Sequence, residues 1–135
     1  MTTNNPTTKA PKSETFLSDA ELRTHTIDAA GKRLGKIATE AATVLQGKDQ
    51  VTFAKHIMEN VQLTIENASK MDVPEKRKGD IYQSYSGYPG GRREETLEHL
   101  GERLGYSEVL RRTINGMLPK NKHQKRLMNQ LTITE

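Results

Sequence analysis

The chain has no cysteine and no tryptophan, and its 135 residues include two Phe and four Tyr. Without thiols there is no disulfide framework, no thiolate metal site and no cysteine nucleophile, which fits a reducing compartment. Hydrophobic residues make up 33% of the chain, lean for this length, so the core is expected to be thin. No stretch approaches the ~18 apolar residues of a membrane span, and the N-terminal stretch holds no apolar core of signal-peptide type. Acids are also the minority charge, 17 against 21 Lys and Arg, for a net charge of +4.

That excess is concentrated. From Lys76 to Arg126 there are twelve cations and six acids, and Lys120 to Arg126 contains no acid. The densest stretch is Lys76 to Arg93, KRKGDIYQSYSGYPGGRR. It opens with Lys76, Arg77 and Lys78 and carries Tyr82, Tyr85 and Tyr88 at three-residue spacing. It closes on Pro89, Gly90 and Gly91, then Arg92 and Arg93. Cations neutralise phosphates and release counterions. Tyrosine rings offer faces on which unpaired bases stack, and paired glycines let backbone approach backbone. A basic run alone is as often a solvated surface as a binding site. The interleaved aromatics and the glycine turn favour a polyanion partner.

Along the chain, residues 1–22 are Thr, Asn, Pro, Ser and Lys with little to bury and read as a flexible N-terminal extension, followed by one domain over 23–135. Thr24–Asp28 reads as a first strand. Lys32–Gln46 is the clearest helix, with Leu34, Ile37, Ala38, Ala41, Ala42, Val44 and Leu45 on one side and Gly47 as its C-cap. Gln50–Ile57 is either irregular or a short strand. Val61–Glu66 alternates and is the best strand pattern in the chain. Ile81–Tyr85 is a further strand running into the glycine turn. A helix is expected over Glu94–Leu104, with Glu94, Glu95 and Glu98 near its positive end. A second begins at Ser107, buries Val109, Leu110, Ile114 and Leu118, and stops at Pro119. Lys120–Asn129 reads as a short helix and Leu131–Thr134 as a last strand. Strands separated by helices predict an α/β fold, a three-layer α/β/α sandwich around a small, mainly parallel sheet of about four strands.

Sets of residues that would carry catalysis do not emerge. His25, His56, His99 and His123 are far apart, none at the i, i+4 spacing of a helical zinc pair. GKRLGK after the first strand suggests a phosphate loop. But Gly31 and Gly35 are one residue too close for a Walker loop, and Lys36 is followed by Ile37 where Ser or Thr is needed. Arg33 and Lys36 then face solvent or a polyanion. No catalytic residue, metal site or cofactor is expected.

Four segments, in order, resemble a known family. Asp28 to Lys48 (DAAGKRLGKIATEAATVLQGK), Ile65 to Ala68, Tyr85 to Gly91, and Asn115 to Lys120 (NGMLPK) are similar to motifs of the bacterial large-subunit ribosomal protein family called L-thirteen. The Gly-Met-Leu-Pro turn followed by basic residues is the most specific of them, and the likeness covers roughly residues 23 to 135. Departures mark a divergent member. Asn121-Lys122-His123-Gln124 lacks the glycine of the family's segment, Met58-Glu59-Asn60 replaces an Asp-Thr-Gly-Asp turn, and Asp72-Val73-Pro74-Glu75 replaces a Thr-Gly turn.

The resemblance implies a non-enzymatic structural constituent of the large subunit, located in the cytoplasmic ribosome. Its partners would be large-subunit ribosomal RNA, bound early in assembly, and neighbouring large-subunit proteins, with no membrane and no small-molecule substrate. The RNA-binding residues expected are Lys76, Arg77, Lys78, Tyr85, Tyr88, Gly90, Gly91, Arg92, Arg93, Lys120, Lys122, His123, Lys125 and Arg126. Tyr82 stays ambiguous between core and surface. Two alternatives stand beside this reading: a regulatory module binding RNA or protein away from the ribosome, and a nucleotide-binding enzyme using the turn after the first strand.

Overall fold

A computed structural model describes residues 22–135. All but the last residue of the expected 1–22 extension lies outside the described residues. The elements run β1 (Arg23–Asp28), α1 (Leu34–Leu45), β2 (Val61–Glu66), a 3-10 turn at Ala68–Lys70, α2 (Glu75–Lys78), β3 (Ile81–Tyr85), β4 (Arg92–Thr96), α3 (Leu97–Leu104), α4 (Tyr106–Met117), α5 (Gln124–Asn129) and β5 (Leu131–Ile133).

β1, β2 and β5 form a parallel sheet with β2 in the centre. Strand alternation decides its two faces. Val61, Leu63 and Ile65 are fully buried, and the register sets Ile27 beside Ile65 on the same face. Thr24, Thr26, Gln62, Glu66 and Thr132 point the other way and are exposed among the described residues. The apolar stripe of α1 (Ile37, Ala38, Ala41, Ala42, Val44, Leu45) joins that buried face, together with Leu110 and Ile114 of α4 and Leu127 and Met128 of α5. Three alanines on α1 keep the helix close to its neighbours. Each large side chain buried there contributes about 1.5–3 kcal/mol. A smaller cluster, Leu97, Leu100 and Val109, lies under α3 and α4, and Leu34, Val73 and Tyr106 pack against both clusters.

The α/β class and the parallel sheet are as the sequence predicts, but the sheet has three strands, not about four. β3 pairs with β4 alone, as an antiparallel hairpin apart from the sheet. The second correction follows from the first. Glu94 and Glu95 sit on β4, and the helix expected from Glu94 begins at Leu97, leaving Glu98 as the acid in its first turn. Thr96 caps it, its Oγ1 accepting from the His99 N–H. Gln50–Ile57 forms turns without a strand.

Two local devices tie the sheet's ends. Asn67, directly after β2, takes a left-handed conformation (φ 58°) that Asn tolerates better than most residues. Its amide donates to the Asp28 carboxylate at 3.0 Å, and the Asp28 Oδ1 also accepts from the Ala30 N–H. At the other end Arg23 donates to Asp49 (2.7 Å) and Glu59 (3.1 Å), clamping both sides of the 47–60 connection to the start of β1. Gly47 makes this possible. Its φ is +69°, and a Cβ there would lie 2.6 Å from the Glu59 carboxyl carbon.

Candidate nucleic-acid interface

The hairpin carries the basic-aromatic stretch. Its register pairs Tyr85 with Arg92, Ser84 with Arg93 and Tyr82 with Glu95. Alternation then divides it. Tyr82 shares a face with Ser84, Arg93 and Glu95, and it turns inward: its hydroxyl lies 3.3 Å from the Thr113 hydroxyl of α4, and its ring packs on the smaller cluster. That settles the ambiguity left by the sequence. Ile81, Gln83, Tyr85, Arg92 and Glu94 occupy the opposite face. Tyr85 is 68% exposed and Tyr88, in the turn, 76%, so both rings are open for stacking. Gly90 has φ +74° and open space around it. At Gly91 a Cβ would crowd the Ser86 side chain and the Tyr88 carbonyl, so glycine also suits the packing of the turn.

α2 sits at the hairpin's root and holds Lys76, Arg77 and Lys78 in one helical turn after Pro74. The Arg77 N–H donates to the Pro74 carbonyl (2.8 Å), and the Leu97 N–H donates to the Asp80 carbonyl (2.9 Å), joining α2, hairpin and α3. Strand rise puts this root about 13 Å from Tyr85.

The second basic group follows α4. Leu118 is buried and Pro119 ends the helix. The Asn121 Oδ1 then accepts from the backbone N–H groups of His123 (3.0 Å) and Gln124 (3.1 Å), turning the chain into α5. Gln124 donates its side-chain amide to the Asn115 carbonyl at 2.7 Å and ties the turn back to α4. Lys120, Lys122, Lys125 and Arg126 are exposed and His123 is half-buried. The expected site residues therefore fall into two groups on different elements, one on the hairpin and α2, the other on α5 and the turn before it.

Ion pairing separates cations that the sequence treats alike. Arg77 pairs with Asp80 (3.1 Å), Lys78 with Glu98 (3.3 Å) and Arg92 with Glu94. Lys76, Arg93, Lys120, Lys122 and Lys125 make no ion pair among the described residues. Sequence reasoning missed Arg111, which lines a groove of about 360 Å³ between α4 and α5 with Arg112, Lys125, Asn115 and Gln124. Arg111 and Lys125 lie in separate helices, and the signal available was only that Arg111 stands one helical turn before Asn115.

The turn after β1 is closed to a phosphate. The Ala30 N–H donates to Asp28, the Gly31 N–H to the Lys70 carbonyl and the Lys32 N–H to the Ala29 carbonyl. A phosphate loop needs such N–H groups unengaged. Among the described residues no group of three His, Asp or Glu side chains stands where a metal could be held, and no described helix is long and apolar enough to cross a membrane.

Against known proteins, residues 22–135 match the family described as ribosomal protein L13. The chain belongs to the ribosomal protein L13 family. Membership makes it a non-enzymatic ribosomal protein. It is 39% identical over 118 residues to "Large ribosomal subunit protein uL13" of Synechocystis sp., covering 87% of this chain and 78% of the relative. It is 36% identical over 117 residues to the protein of that name from Clostridioides difficile, covering 86% and 81%. Over 127 residues it is 36% identical to that of Rippkaea orientalis, covering 93% and 81%. Within an L13 protein the hairpin turn, the Asn67-Ala68 pair and the turn at Leu118-Pro119 acquire a common setting. Each fixes backbone at the edge of the α/β core, next to exposed charge.

Proposed function

We propose that this chain, a ribosomal protein of the large subunit, is held there by large-subunit ribosomal RNA through two basic surfaces and supports early assembly of the subunit. The first surface is the hairpin with α2: Lys76, Arg77, Lys78, Arg92 and Arg93 meet phosphates, Tyr85 and Tyr88 stack or pack at the RNA, and Gly90 and Gly91 let the backbone come close. The second is Lys120, Lys122, His123, Lys125 and Arg126. Neighbouring large-subunit proteins complete the surroundings, and the chain's place is the cytoplasmic ribosome. The observation that carries this reading is the set of cations that make no ion pair among the described residues, Lys76, Arg93, Lys120, Lys122 and Lys125, beside two largely exposed tyrosine rings. A cation that makes no ion pair has no salt bridge to give up when a phosphate arrives, so counterion release is available in full.

The test is sedimentation of cell lysate through a sucrose gradient after a high-salt wash, probing for this chain. Co-migration with the large subunit is the expected result and indicates multi-site, buried RNA contact. Release into the soluble fractions would leave an exposed attachment or none, and the regulatory reading would replace this one.

A further inference from the structure

We infer that the cavity beside the 47–60 connection is a pocket for a single extruded nucleobase. This inference rests on the RNA-binding reading above and adds to it a base-binding site that borders the second basic surface. The cavity measures about 350 Å³, within the ~300–1,000 Å³ range of small-molecule sites. Phe53, Ile57, Met58 and Leu127 supply its apolar lining, while Lys48, Lys55, Asn121 and His123 supply polar and cationic groups. Phe53 and Ile57 remain 36% and 43% exposed, so the fold leaves apolar surface uncovered there.

A nucleobase has apolar faces, a polar edge and a phosphate on either side. The lining meets each in turn. The Phe53 ring is a stacking partner. The Asn121 Oδ1 is taken by two backbone N–H groups, which leaves its amide nitrogen as a donor to a base edge. Lys48 and Lys55 have no ion pair among the described residues. The one acid in the lining, Glu59, is already bound to Arg23. An apolar protein side chain would fill the lining but leave three basic groups unmatched. The pocket is also preformed. Arg23 holds Asp49 and Glu59, and its N–H donates to the Asn60 carbonyl at 3.1 Å, so both ends of the connection are fixed before anything binds. His123 belongs to the second basic surface as well, and Asn121 lies between its Lys120 and Lys122, so an RNA strand on that surface passes the pocket's mouth.

The experiment is equilibrium binding of the full chain to large-subunit ribosomal RNA transcribed in vitro, over a range of salt concentrations, with melting temperatures measured alongside. Phe53→Leu keeps apolar bulk but removes the ring. It should weaken binding about tenfold or more, the size of one lost base stack, with the salt slope unchanged. Phe53→Tyr should bind as the parent chain does. Lys55→Ala should lower the salt slope by about one. Ultraviolet cross-linking should attach RNA to the peptide that holds Phe53. Unchanged affinity in Phe53→Leu, with the parent chain binding, overturns the pocket alone. If Phe53→Leu binds naked RNA normally but fails to enter the large subunit, the occupant is a protein and the inference also falls. If the parent chain does not bind the RNA at all, the function proposed above fails first.

Discussion

Arg92 and Lys122 read alike in the sequence, each an exposed cation in a basic run, yet the fold gives them different standing. Arg92 lies 2.5 Å from Glu94, while Lys122 makes no ion pair among the described residues. Lys122→Ala should weaken ribosomal RNA binding and lower the salt slope by about one. Arg92→Ala should do less, because its charge is already shared, and neither should move the melting temperature much. Salt titrations of binding beside thermal melts check both. The residue types at the site were legible in the sequence, but their pairing was not, because Arg103 reaches Glu95 and Lys78 reaches Glu98 only after the elements are in place.

Carboxylates give a second expectation at this scale. The Ala30 N–H and then the Asn67 amide hold the Asp28 carboxyl below its ordinary range. Arg23 does the same for Asp49, and Arg103 for Glu95. A carboxyl harder to protonate in the native chain than in the unfolded one stabilises above the unfolded value, about pH 4. That stabilisation is lost as pH falls through the lower native value. The melting temperature should therefore drop on acidification below about pH 4, and Asp28→Asn should flatten part of that profile.

Among the elements, β2 and α1 announced themselves by period, and the structure keeps β2 at Val61–Glu66. β4 did not. RREET has the charge pattern of a helix start, and the glutamates fit a positive helix end. What decides against a helix is the turn: Gly87 and Gly90 both adopt positive φ and bring residues 92–96 back along β3. The glycine turn after a strand was the available signal, since such turns join antiparallel partners. Thr96, three residues before His99, then marks where the helix can begin. A two-stranded hairpin is marginal by itself, and this one is anchored at Tyr82 and Leu97. Amide exchange in 81–96 should be faster than in 61–66 for the free chain and should slow sharply with ribosomal RNA bound. Equal protection in both segments without RNA would mean the hairpin is a rigid extension of the core. α4 is the contrasting element. Ile114, fully buried in the larger cluster, should cost about 2–5 kcal/mol when cut to Ala, read as a lower denaturation midpoint at unchanged m.

For the whole molecule, the core divides into a larger cluster against the sheet and a smaller one under α3 and α4, joined through Leu34, Val73 and Tyr106. The class was legible because strand and helix periods alternate along the chain. The sheet's size was not, because nothing in Ile81–Tyr85 by itself says whether its partner is β2 or a strand still to come. One feature of the sheet bears on how the molecule is made. β2 stands between β1 and β5, and β5 spans Leu131–Ile133, more than sixty positions later than the strand it joins. Until those residues have been synthesised, one edge of the central strand has no partner. Contacts so distant in sequence carry a loop-closure cost before they return anything. The sheet therefore closes only after residues 131–133 have left the ribosome that translates this chain.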